Sequence, residues 1–388
     1  MQSLEQFQLL RSPTGNVLLS RIELELATGT GDLQVATRLR ADFPGDLVAA
    51  AMTLTAVRAR AAGKFTRASR MWLTRAGYEQ ASSEPIARYR AARFARFERI
   101  ADLCCGIGGD LIGLAGVTDV LAVDRDPLHL ACARANAAVY GVERRVTGLE
   151  ADVTGIDLSG LGAIFIDPAR RTGAGRVGSA ETIPPMGWVY ELANRVPSVG
   201  AKAAPGIDRD SVPAGWEQEF IAEGRALKEA MLWSPAMATA PRRATLLPEG
   251  ISFLAHPGDP VEVRAPGTFL LDPNPAITRA GLVQDLARSL GAWQIDEEIA
   301  FLSCDHEIAT PWARTLRVIE SMPWKVREIS LALRRHGIGA VDIRRRGLAG
   351  DVEAIRKQLK LQGTGRATIA MTRHRDQPWC VIGVDSPA

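Results

Sequence analysis

The stretch Ile100–Asp110, IADLCCGIGGD, runs from an apolar segment through a carboxylate and two cysteines into closely spaced glycines. Asp102 lies inside the end of the apolar segment; Cys104, Gly106 and Gly108 follow, and Asp110 closes the loop. A loop of this kind lets a nucleotide come close to the backbone. A pyrophosphate loop reads G-x-G-x-x-G, but here Leu111 stands where the third glycine belongs and Asp110 sits beside the expected helix start. An acid there repels a phosphate, whereas Asp102 favours positive charge. Two more carboxylates follow. Asp124 ends VLAVD, 18 residues beyond Gly106, where an acid takes the hydroxyls of a ribose. Asp152, in LEAD, ends a third such segment, where it can accept from an adenine amino group.

Each of these acids alone is commonly a turn residue or a helix cap. Together, at successive strand ends, they fit a cationic adenosine derivative and disfavour a dinucleotide. The expected cofactor is S-adenosyl-L-methionine, held by Asp102, Cys104, Gly106, Gly108, Asp110, Asp124 and Asp152. No metal is expected: the five cysteines include no C-x-x-C pair and the five histidines are scattered.

These residues need strands and turns to bring them together. RIADLC, VLAVD, AIFIDP, GAKAAP, LKEAMLW and RRATLLP are short apolar segments of the sort buried in a parallel sheet, separated by helical or glycine-rich text. They predict a doubly wound α/β domain over 96–255. Residues 1–95 read as mainly helical, with LLSRIELEL open to either strand or helix and a new helix capped near Ser83. Residues 256–315 read as a linker with one helix, ITRAGLVQDLARSLG. Residues 316–388 read as a small α+β module of helix, strand, helix and two strands.

DLCCGIGGD, VLAVDRDPLHLACARANAAVYGV and FIDPARRTG resemble bacterial class I S-adenosylmethionine-dependent methyltransferases with a THUMP-like C-terminal domain. The central block is also similar to trimethylguanosine synthases, which methylate a guanine amino group of capped RNA. The resemblance implies a Rossmann-like class I methyltransferase sheet between a helical N-terminal region and an RNA-associated tail. It also implies that the residues after the fourth strand face the donor, which makes Asp167, Pro168 and Arg170 the catalytic candidates. Related amino-group enzymes read [DNS]-P-P-aromatic there; this chain has Ala169 and Arg170 instead, and a guanidinium can stack on a base or bind phosphate. The same DPAR resembles carbon-5 uridine methyltransferases, whose nucleophilic cysteine lies in S-C-N-P. LSCDHE, around Cys304, matches that in part, which leaves Cys304 as either a nucleophile or a small core residue.

The composition, 46% hydrophobic and 23% charged, is that of a soluble globular chain; no apolar segment reaches membrane-span length and no secretory signal opens the chain, so a cytoplasmic location is expected. Charge is uneven: +6 over 1–99 (15 Lys/Arg against 9 Asp/Glu), +7 over 316–388 (14 against 7) and −10 between, for +3 overall. Basic flanks around an acidic centre point to RNA as partner, with Arg344, Arg345, Arg346, Arg356 and Lys360 on its phosphates. The expected function is methylation of a base in structured RNA, tRNA or rRNA. A protein or small-molecule acceptor, or RNA binding without catalysis, are the alternatives. Oligomeric state is not legible.

Overall fold

The computed structural model describes residues 1–170 and 182–385, and of Arg170 the backbone only. The chain forms two units: one of 1–218, 229–239 and 247–250, the other of 219–228, 240–246 and 251–388.

The first unit opens with six helices: α1 (Leu4–Arg11), α2 (Pro13–Ala27), α3 (Asp32–Leu39), α4 (Gly45–Ala61), α5 (Arg75–Gln80) and α6 (Glu84–Ala91). The ambiguous LLSRIELEL is helical. Ser12 caps α2 by accepting from the Gly15 N–H, and Pro13 occupies a first-turn position that needs no amide proton. Glu84 begins α6 directly after Ser83, with Pro85 in the first turn, but the Ser83 side chain makes no capping hydrogen bond. Phe7, Leu18, Ile22, Leu39, Leu54 and Phe65 bury one another in a core that also takes in Ile107, Leu128 and Cys132 from the following α/β part. The helical layer therefore shares its core with the glycine loop.

The strands are β1 (Arg99–Leu103), β2 (Asp119–Asp124), β3 (Val146–Glu150), β4 (Ala163–Ile166), the short pair β5 (Ala169–Arg170) and β6 (Thr182–Ile183), β7 (Val199–Ala203), β8 (Glu217–Glu223) and β9 (Ala226–Trp233). Six of them lie in the order β9-β7-β4-β1-β2-β3, while most of β8 belongs to the second unit. The members from β3 to β7 are parallel, and β9 runs antiparallel to β7. Helices α7 (Leu111–Leu114), α8 (Pro127–Tyr140) and α9 (Met186–Leu192) follow β1, β2 and β6 in the chain. The central strands read as near-continuous apolar text because both faces are covered; β4 is buried at every position, whereas β3 at the edge is largely exposed. Strand order reverses at β1, with β2 on one side and β4 on the other, which opens a crevice at the carboxyl ends of these strands.

The second unit contains the antiparallel hairpin β10 (Arg242–Leu247) and β11 (Ile251–Leu254). It also has a sheet of β12 (Phe269–Pro273), β13 (Trp293–Gln294), β14 (Leu302–Cys304), β15 (Ala313–Pro323), β16 (Ile338–Arg345), β17 (Gly365–His374) and β18 (Gln377–Asp385). Their order is β13-β14-β12-β15-β18-β17-β16. The single helix expected over ITRAGLVQDLARSLG is instead two, α10 (Pro275–Ala280) and α11 (Val283–Leu290), because Gly281 adopts a left-handed φ of 67° and caps the first. Helices α12 (Val326–Arg335) and α13 (Val352–Gln358) complete the expected helix-strand-helix-strand-strand tail. Ile329, Leu333, Ile343, Ile369 and Ile382 form its core. Among the described residues, no helix is long and apolar enough to cross a membrane.

Candidate functional site

Asp102 is on β1, completely buried, and neither carboxylate oxygen has a hydrogen-bond partner. Burial, then the nearby carboxylates of Asp110 and Asp167, push its pKa well above the usual carboxylate range. The chain then leaves the strand through Cys104, whose φ of 62° is left-handed, a conformation uncommon outside glycine. Burial and the surrounding acids, Asp124 first, raise the Cys104 thiol, so it is a poor nucleophile.

Gly106 and Gly108 are both left-handed, at 53° and 82°, and serve different needs. A Cβ on Gly106 would meet nothing within 4 Å, so the backbone there is open to a ligand. A Cβ on Gly108 would come within 3.0 Å of the Ala133 Cα, so that glycine lets the loop lie against α8. Asp124, at the end of β2, fixes the loop: its carboxylate accepts from the Gly106 N–H (2.8 Å) and the Asp126 N–H (2.9 Å). Asp126 in turn caps α8 by accepting from the N–H groups of Leu128 and His129. Asp152 follows β3 and is exposed; hydrogen bonds from the Thr154 hydroxyl and N–H hold its carboxyl below the usual range.

Asp110 is engaged by α6. Arg90 of α6, 1% exposed, donates to Asp110, to the Ser82 hydroxyl (2.9 Å) and to Glu229 of β9 (2.5 Å). This buried network ties the helical layer to the loop and to the sheet. Its guanidinium also lies over the Phe165 ring of β4, 4.9 Å from the centroid.

Asp167 and Pro168 follow β4, and the Asp167 N–H donates to the Leu103 carbonyl at the end of β1 (3.2 Å). The parallel register pairs Ile166 with Ala201, so the next residue of β7, Lys202, comes beside Asp167. Its ammonium donates to Asp167 Oδ2 at 2.7 Å and to the Gln80 carbonyl at 3.4 Å. Burial works against the charge on Lys202, but the adjacent carboxylates, Asp167 foremost, outweigh it and its pKa is raised. Asp102, Cys104, Gly106, Gly108, Asp124 and Asp167 are thus gathered at the carboxyl ends of β1, β2 and β4. The Arg170 side chain, Arg171 and the glycine-rich stretch through 181 lie outside the described residues. Sequence reasoning passed over Lys202 and Glu229. The available signal was a charged residue inside an otherwise buried strand, in GAKAAP and LKEAMLW.

In the second unit Cys304 is completely buried in β14 with its thiol on the His306 carbonyl (3.0 Å), and burial raises its pKa. Of the basic series there, Arg346 is an internal strut to Asp272 (2.9 Å) and the Pro273 carbonyl. Arg344, Arg345 and Lys360 are exposed.

Family models match three parts of the chain: a domain of unknown function over 3–61, the RNA cap guanine-N2 methyltransferase family over 97–169, and the THUMP domain-like family over 313–384. The chain is 35% identical to uncharacterized S-adenosylmethionine-dependent methyltransferases from two Mycobacterium tuberculosis strains, CDC 1551 and H37Rv, over 86% of its own length and 95% of theirs. A crystal structure assigned as a methyltransferase from Porphyromonas gingivalis W83 superposes with a TM-score of 0.75 at 21% identity, covering 89% of this chain and 92% of that one. The last likeness shows a common fold. Taken with the strand order around β1 and the identity across nearly all of the mycobacterial proteins, these matches place the chain in the family of S-adenosylmethionine-dependent methyltransferases that carry a THUMP-like C-terminal domain.

Proposed function

We propose that this methyltransferase modifies a base in structured RNA, tRNA or rRNA, and that the carboxylates at the ends of β1, β2 and β4 divide the work. S-adenosylmethionine supplies, when bound, a methyl group on a positively charged sulfur. Asp102 meets the positive charge of the donor: a buried carboxylate with two unpartnered oxygens gains most from a cation. The open backbone at Gly106 and the left-handed turn at Cys104 admit the ligand, with Gly108 keeping the loop against α8. Asp124 takes the ribose hydroxyls and Asp152 the adenine edge. Asp110 supports the loop through Arg90.

Asp167 holds the acceptor group and receives the proton that this group sheds on gaining a methyl, with Pro168 fixing the turn and Arg170 against the base or a phosphate. Transfer of this kind depends chiefly on alignment at roughly 3–3.5 Å between the reacting atoms. The observation that carries the reading is the adjacency of Asp102 and Asp167 at neighbouring strand ends, one unpartnered and buried, the other 29% exposed. An RNA acceptor is supported by the THUMP domain-like and cap guanine-N2 matches and by the basic flanks. Incubation with methyl-labelled donor and separated cellular RNA pools, followed by digestion to nucleosides, tests it. Label is expected in one methylated nucleoside. Label confined to protein or to small molecules contradicts it.

A further inference from the structure

We infer that Lys202 is a positioning residue for methyl transfer, acting through Asp167; the inference rests on Asp167 holding the acceptor. Lys202 belongs to the end of β7, a strand otherwise buried, and its side chain is 12% exposed. An ammonium in such surroundings is costly unless it is paired and its donors are used. Both conditions are met at the place where chemistry is expected: Asp167 Oδ2 at 2.7 Å and the Gln80 carbonyl at 3.4 Å.

The arrangement does three things for Asp167. It occupies one carboxylate oxygen, leaving the other to an acceptor. It fixes the carboxylate plane, because the lysine is itself anchored to the backbone at Gln80. It sets a positive charge beside a carboxylate, which accepts hydrogen bonds most strongly when ionised. Asp110 and Glu229 also act on the ammonium and Arg90 opposes them, so Lys202 sits between the buried Arg90 network and the acceptor side of the crevice. Neutralising it should therefore disturb the acceptor end of the site and leave the donor end intact.

The test uses the full-length protein with bulk cellular RNA as acceptor and S-adenosylhomocysteine as binding probe. Lys202→Met is expected to lower turnover about tenfold or more while the dissociation constant for S-adenosylhomocysteine stays within about twofold, which also verifies folding. Lys202→Arg keeps the charge and recovers most of the loss. The double variant Asp167→Asn/Lys202→Met should be no worse than Asp167→Asn alone, because one residue acts through the other. Normal turnover in Lys202→Met, or losses that multiply in the double variant, overturn the role of Lys202 while leaving that of Asp167 standing. Full activity in Asp167→Asn instead removes the Asp167 reading and the inference with it. If wild-type transfer goes to protein or small molecules, the same variants assayed with that acceptor decide the question.

Discussion

Asp102, proposed to meet the donor, works against the fold that carries it. Its pKa is raised above the ordinary value of 3.8, so folding favours the protonated form. The stability this provides is complete below pH 3.8 and is lost as pH rises through the elevated value, above which a buried carboxylate is left with no partner. Asp102→Asn should therefore stabilise the ligand-free protein at pH above that elevated value, by about 1–3 kcal/mol. The gain over wild type should shrink as the pH is lowered toward 4; thermal melts across that range measure it. Asp102, Asp124 and Asp167 stood out as candidates in the sequence because each lies at the end of an apolar segment, and Gly106 because it lies in the glycine loop between them. Lys202 and Arg90 did not, since their meaning lies in partners 35 and 139 residues away. Asp110 was visible as an acid beside a glycine loop, but its engagement by Arg90 depends on where α6 packs.

At the scale of elements, the helical layer buttresses the loop. A Cβ on Gly77 would meet the Ile107 side chain at 2.3 Å, and one on Gly113 would meet the Ala87 carbonyl at 2.7 Å, so α5 and α6 lie directly on the loop and on α7. Arg90 is the polar counterpart of that packing. Arg90→Met would leave Asp110 and Glu229 buried without their cation, at a cost of roughly 3–5 kcal/mol, read as a lower denaturant midpoint. Donor affinity should fall with it as the loop loosens. The strands around the site were legible because continuous apolar segments bounded by glycine and acid have few other uses. β8 and β15 were not singled out: EQEFIAE and ARTLRVIESMP mix charges into the strand, and β15 is only partly buried. The break between α10 and α11 turns on Gly281, a residue that helical periodicity tolerates and only the backbone conformation reveals.

For the whole molecule, the charge is unevenly divided. The acidic middle holds the carboxylate cradle, and the basic tail lies on the THUMP-like part. Some of that basic charge is structural, as with Arg346 on Asp272, so the count of arginines overstates the exposed positive charge. Arg344, paired to Asp342 at 3.0 Å, and Lys360 remain exposed. Arg344→Gln with Lys360→Gln should weaken RNA binding and reduce the slope of log affinity against log salt by about 1 per lost phosphate contact. Donor binding should not change; filter binding over a salt series, beside calorimetry, checks both.

The most direct measurement is calorimetric titration of S-adenosylmethionine into the wild type and Asp102→Asn over a range of pH. A cation reaching the buried Asp102 favours its ionised form, so wild-type affinity should fall as pH is lowered. The heat of binding should vary with the ionisation enthalpy of the buffer. Asp102→Asn should bind about tenfold more weakly and show neither dependence. Equal affinity in the two proteins, with no proton released by the wild type, would contradict a site built to receive a cation.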